Sequence, residues 1–224
     1  MNLLYLSDVF CPWCYGFGPV MRRILADYPG TSVRVLGGDL VDEALTLSEM
    51  KEEHPSIREF FARLETTTGQ SAGAFLKILE DAGSGGPDWR MHSPETGLPL
   101  AVLKTLAPGH ELEQMEAFQH AFYAEGRDVL DISVQLDIAS RWGVEAAVFE
   151  AARADPAVRV RAEKEAAEAS DIMGEFRLYP TLYLEGEGGR ELLARGYAPY
   201  ETVRAGLEAA LSGRNGGFAE GAAC

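Results

Sequence analysis

Phe10-Cys11-Pro12-Trp13-Cys14-Tyr15-Gly16 is the stretch on which the reading of this chain turns. The apolar run Asn2-Leu3-Leu4-Tyr5-Leu6-Ser7 enters it as a short strand, and residues 19–28 leave it with helical apolar spacing. Two cysteines at i and i+3 therefore stand where a strand gives way to a helix. In the first turn of a helix such residues share one face about 5–6 Å apart, a separation that a disulfide spans. The unpaired N–H groups and the dipole of a helix start favour an anion on the first thiol, Cys11. Pro12 falls at the first helical position, where a missing N–H costs nothing. Cys14, one turn further in, is expected to be less exposed. The pair reads as a nucleophile with a resolving partner.

Two other readings stand beside it. A CxxC pair can be half of a zinc site, which needs about four ligands. The remaining cysteine is Cys224, and His54, His92, His110 and His120 have no ligand spacing among themselves. A structural disulfide is the other alternative, though so small a loop removes little entropy from the unfolded chain.

The 224 residues fit one large domain, or a smaller one carrying an insertion. With 46% hydrophobic and 25% charged residues, the composition is that of a chain able to bury a core. Twenty basic and 35 acidic residues give a net charge of −15, which argues against nucleic acid and anionic membrane surfaces as partners. No apolar run reaches the roughly 18 residues of a membrane span, and no signal-peptide pattern precedes the first strand. Three cysteines do not make a disulfide scaffold. The expectation is a cytoplasmic protein.

Residues 31–36 alternate and are rich in β-branched side chains, predicting a second strand after the first helix and hence a right-handed βαβ unit. From about residue 45 the pattern becomes helical: Ile57, Phe60, Phe61 and Leu64 share one face, as do Met115, Phe118 and Phe122. Helices are expected over 71–82, from Ser93 (as cap) with Pro94 to Leu106, over 111–124, after the cap Asp131, over 145–152, and from Asp155-Pro156 to about 173. The pattern then returns to strands: 178–184 and 191–195 are expected to pair as a hairpin across Glu187-Gly188-Gly189. Pro199 opens a last helix to about 211, and the Gly/Ala-rich residues 212–224 are expected to be disordered. Neither the βαβ nor the ββα end has enough strands for a stable sheet alone. The fold class is thus α/β, with the two ends joined in one four-stranded sheet: residues 1–43 and 175–214 form a discontinuous domain, 44–174 an all-helical insertion, and 215–224 a tail.

This arrangement resembles the thioredoxin superfamily, specifically the DsbA-like proteins, over most of residues 2–211. The closest resemblance is to the FrnE-like branch described as predicted protein-disulfide isomerases. Its active-site signature is matched by Ser7-Asp8-Val9-Phe10-Cys11-Pro12-Trp13-Cys14-Tyr15-Gly16, and its insert segment by Ala121-Phe122-Tyr123-Ala124-Glu125-Gly126-Arg127-Asp128. Tyr179-Pro180-Thr181 matches the superfamily loop in which a cis proline faces the disulfide and blocks metal capture. The resemblance implies disulfide exchange through Cys11 and Cys14 with Pro180 beside them, no metal or organic cofactor, and glutathione as one thiol partner. Pro12, Trp13, Tyr179 and Thr181 would contact protein or small-molecule disulfides and thiols, with the Tyr179 backbone open to an incoming peptide.

Two positions depart from the pattern. Thioredoxins carry a buried acid six residues before the nucleophile, and here that residue is Tyr5. Asp8 is nearer and is read as a loop cap or a solvent-facing residue. Trp13 stands where oxidising DsbA proteins commonly have histidine, so it brings an apolar contact surface rather than charge. Two competing readings remain: a glutathione-dependent isomerase or transferase of the kappa or chromene-carboxylate type, in which serine usually stands at the position of Cys11, and a client-binding module whose grip lies in the insert. Cys224 is read as an exposed, incidental thiol.

Overall fold

The computed structural model describes residues 1–213 and 218–222. Strand β1 (Asn2–Ser7) is apolar between its ends because both its faces are covered: Leu3, Leu4, Tyr5 and Leu6 are all buried. Helix α1 (Pro12–Asp27) follows. It starts at Pro12 and runs on through Pro19 as one helix, longer than the apolar spacing of residues 19–28 indicates. Strand β2 (Ser32–Gly37) returns parallel to β1, with Leu3 opposite Val33 and Tyr5 opposite Val35. The expected βαβ unit is present.

The helical block begins with a two-residue strand, β3 (Leu45–Thr46), then α2 (Leu47–Glu53), α3 (Ile57–Thr68) and α4 (Gly73–Asp81). A second short strand, β4 (Arg90–Met91), pairs antiparallel with β3. The helices α5 (Ser93–Leu106), α6 (Glu111–Tyr123), α7 (Ile132–Ser140), α8 (Ala146–Ala154) and α9 (Pro156–Met173) complete the block. Asp131 and Asp155 cap α7 and α9 through their carboxylates, as their positions predict. Ser93 does not cap α5: it lies inside the helix, and its hydroxyl accepts from the Val41 N–H at 3.0 Å.

Strands β5 (Thr181–Gly186) and β6 (Gly189–Arg195) form the hairpin, with a bulge between Leu182 and Tyr183. Helix α10 (Tyr200–Leu211) follows Pro199. The sheet is larger than the four expected strands, because β7 (Ala219–Glu220) lies parallel to β6 and extends the order to β2-β1-β5-β6-β7. Residues 218–222 are therefore a correction to the disordered tail read from composition. Their hold is backbone hydrogen bonding, Gly221 N–H to Arg195 O and Tyr197 N–H to Ala222 O, which leaves little side-chain signature. Cys224 lies outside the described residues. The fold is an α/β thioredoxin fold with a helical insertion, and α5, α6 and α9 of the insertion all contact β2. No helix among the described residues is long and apolar enough to cross a membrane.

Candidate active site

Cys11 is the N-cap of α1, with an extended backbone at φ −85° and ψ 111° and Pro12 opening the helix behind it. Its Sγ takes the place usually held by a serine or aspartate oxygen, accepting the Cys14 N–H at 3.2 Å. An amide aimed at sulfur from a helix start is a donor for any negative charge that sulfur carries. On its other side the Cys11 thiol lies 3.7 Å from the Tyr179 carbonyl. Tyr179–Pro180 is a cis peptide, and the Pro180 carbonyl accepts from the Gly196 N–H at 2.7 Å. Sequence positions 11, 14, 179 and 180 are thus brought together at the C-terminal end of β1 and the start of β5.

Cys11 is 0% exposed and Cys14 is 1% exposed, so the expected contrast between an accessible and a shielded thiol is absent. Trp13 is buried as well, edge-on to Phe60 at 5.8 Å and tilted against Tyr197 at 5.6 Å. It serves as packing between α1 and its neighbours rather than the open contact surface expected of it. Thr181 is buried at the head of β5, its hydroxyl donating to the Leu178 carbonyl at 2.6 Å. Pro12 lies along a groove that also involves Phe10.

The Tyr179 side chain points away from the thiols. Its hydroxyl donates to Asp39 at 2.8 Å and accepts the Asp39 N–H at 3.2 Å, and Arg177 pairs with the other Asp39 oxygen at 2.6 Å. Burial, and then the bond to Asp39, push the Tyr179 hydroxyl pKa well above the ordinary tyrosine value. The ring leaves no room at Gly38, where an added Cβ would lie 2.6 Å from it. Tyr5 is buried in β1 and stacks on Phe17 at 5.9 Å. Burial raises its pKa well above normal, and charge on Cys14 adds to the effect.

Asp8 proves to be a loop cap, and a buried one. One carboxylate oxygen accepts the Phe10 N–H at 2.8 Å and the other the Leu40 N–H at 3.1 Å. Burial pushes its carboxyl pKa up, with the two amides pulling back against that.

Sequence reasoning left two residues of the insertion without a role. The Tyr123 hydroxyl donates to the Phe10 carbonyl at 2.6 Å, one residue before the first cysteine. Gln119 Nε2 donates to the Asp8 carbonyl at 3.0 Å and to Ser7 Oγ at 3.1 Å. Both side chains are buried. Their signal was present: polar atoms on the same turns of α6 as the apolar Met115, Phe118 and Phe122. Among the described residues no cluster of His, Cys, Asp and Glu is placed to hold a metal ion.

A strand-to-helix CxxC facing a cis-proline loop, on a sheet interrupted by a helical insertion, defines a thioredoxin-fold protein of the DsbA kind. The family profile for the DSBA-like thioredoxin domain matches residues 3–187, and the chain belongs to that family. The fold is shared with a candidate protein disulfide isomerase from Nitrosomonas europaea, at 22% identity and a TM-score of 0.76 over 95% of this chain and 98% of that one. The cytosolic disulfide reductase DsbM from Pseudomonas aeruginosa is also similar, at 22% identity and a TM-score of 0.71 over 95% and 99% of the two chains. A 2-hydroxychromene-2-carboxylate isomerase shares the fold at 16% identity and a TM-score of 0.63, covering 95% of each chain. No curated protein sequence matches the chain.

Proposed function

We propose that this chain is a thiol–disulfide oxidoreductase acting through Cys11 and Cys14, on protein or small-molecule disulfides and thiols. The observation that carries the reading is the Cys11 sulfur, seated as a helix N-cap on the Cys14 N–H and facing the Tyr179 carbonyl beside Pro180. Cys11 thiolate attacks one sulfur of a substrate disulfide, forming a mixed disulfide, and the displaced thiolate takes up a proton. Cys14 thiolate then attacks Cys11, the second substrate thiol leaves, and the electron pair of the former dithiol now resides in the two product thiols. Run backwards, the same steps donate a disulfide, and both directions together make an isomerase. Two molecules of a thiol such as glutathione, leaving joined as their own disulfide, return the pair to the dithiol; the DsbM structure similar to this fold was determined with that tripeptide. Neither step calls for a metal or an organic cofactor. Because Cys11 is buried, its cover must open before attack. The cytosolic description of DsbM and the sparse cysteines support a cytoplasmic location for this chain.

The test is a Cys14→Ser variant in a Cys224→Ser background. It is expected to accumulate a mixed disulfide on Cys11, visible by mass, whereas Cys11→Ser forms none. The equilibrium potential of the pair then assigns direction: near about −270 mV it is a reductase, and near about −180 mV an isomerase or oxidase. Absence of any reversible disulfide would overturn the reading and favour the glutathione-dependent isomerase type.

A further inference from the structure

Beside the first cysteine runs a groove of about 600 Å³. Its floor is apolar: Phe10 and Pro12 flank Cys11 in sequence, and Leu45, Met50, Ile57 and Phe60 continue it along the insertion. The groove is tied directly to the site, because Phe60 is the ring against which Trp13 packs. Its rim has one sign of charge. Asp42, Glu43, Glu49 and Glu53 line it and are all exposed, and His54 is the only lining residue able to carry positive charge.

Nearby cations are engaged elsewhere. Lys51 donates to the Glu80 and Ala82 carbonyls, and Arg58 pairs with Glu80. Arg63 lies 5.7 Å from the centre of the Phe60 ring and tempers the potential at that end. The Thr46 N–H and hydroxyl both donate to Glu49, holding its carboxyl below the ordinary carboxylate range, so it stays ionised at neutral pH.

We propose that this groove receives a polypeptide segment in which an apolar side chain and a lysine or arginine flank the disulfide cysteine, so that the protein selects cationic clients over anionic ones. The inference rests on the exchange reading above and names its substrate class. A groove of about 600 Å³ has room for a few side chains. An apolar floor under an acidic rim complements a residue pair of that kind: the apolar group leaves water while the ammonium or guanidinium stays at the wet edge. The net charge of −15 extends the same preference to longer range, steering cationic chains inward. It also works against a second copy of this chain or an anionic lipid surface as the occupant.

The experiment compares three cystine peptides with one apolar core, flanked by lysine, glutamate or serine, as substrates of the Cys224→Ser protein. The lysine peptide is expected to show a kcat/KM roughly tenfold above the glutamate peptide at low salt. That ratio should shrink to about two- or threefold near 0.5 M NaCl, where the screening length is only a few ångströms. A Glu43→Gln/Glu53→Gln variant should lose most of the lysine advantage; neither carboxylate forms an ion pair among the described residues. Equal rates for the lysine and glutamate peptides would overturn charge selection and leave exchange standing. An advantage undiminished in the double variant would overturn this groove as its source. If none of the three peptides is turned over, the exchange reading itself falls, and the inference with it.

Discussion

Asp8 sits in the loop that leads from β1 into Cys11. Its carboxylate is buried, and both oxygens are used to fix the chain on either side: the Phe10 amide just before Cys11, and the Leu40 amide after β2. Burial favours the neutral acid, so the folded chain holds this proton more tightly than the unfolded chain does. The sign follows. Stability from this group is fully present below the ordinary aspartate pKa and is lost as pH rises through the raised folded value. Asp8→Asn cannot ionise and removes that loss. Urea midpoints of the two proteins, from about pH 4 to about pH 7, should therefore shift steadily in the variant's favour as pH increases. A constant offset between the two curves would mean that the carboxyl keeps its ordinary pKa. The local asparagine-like turn role of Asp8 was readable from its neighbours, but its burial was not. Its carboxylate is enclosed by the segment after β2, where Gly38 and the Leu40 N–H lie against it, 32 residues along the chain in the case of Leu40.

At the level of elements, signals written in short sequence are the ones that reached the structure. The β1–α1 junction needs only an apolar run, a capping side chain and a proline, all within residues 2–14. Asp131 and Asp155 announce their helices in the same local way. The strands that escaped notice are pairs held by backbone bonds. β3 and β4 have two residues each, and β7 sits in a Gly/Ala-rich tail whose side chains say nothing about pairing. That tail closes the β6 edge of the sheet, which would otherwise present unpaired amides. Ending the chain after residue 213 removes the bonds from Gly221 to Arg195 and from Tyr197 to Ala222, along with the pairing of Ala194 and Arg195 with β7. At about 0.5–1.5 kcal/mol net for each hydrogen bond, the truncated chain should be less stable by about 1–3 kcal/mol. Urea denaturation of the two reduced proteins measures this, and an unchanged midpoint would show that β7 adds nothing to the fold.

For the molecule as a whole, the question is whether the helical insertion and the sheet behave as one body. Strand β2 is the outer strand on the insertion side, and insertion side chains satisfy the outward backbone groups of Val35. Lys104 Nζ donates to the Val35 carbonyl at 2.5 Å, and a Glu111 carboxylate oxygen accepts the Val35 N–H at 2.8 Å. Lys104 is itself paired with Glu165 at 2.5 Å, and Arg34 of β2 makes two 2.8 Å bonds to Glu168 of α9. Together with the bonds from Gln119 and Tyr123 to the active-site loop, these contacts make the insertion the wall on which both the sheet edge and the thiols depend. Buried apolar residues from both parts also form a single core cluster. The expected outcome is one cooperative transition in urea under reducing conditions. In a Trp89→Phe/Trp142→Phe background, fluorescence from Trp13 reports on the active site while circular dichroism reports mainly on the insertion helices, and the two curves should coincide. Lys104→Met supplies the second arm. It leaves the Val35 carbonyl and the Glu111 carboxylate without the ammonium and Glu165 with Arg161 alone, which should cost about 3 kcal/mol, and both probes should move by the same amount. If the helical signal is lost at lower urea than the Trp13 signal, or if the substitution shifts one and not the other, the insertion unfolds as a separate unit and the active-site loop does not depend on it for its shape.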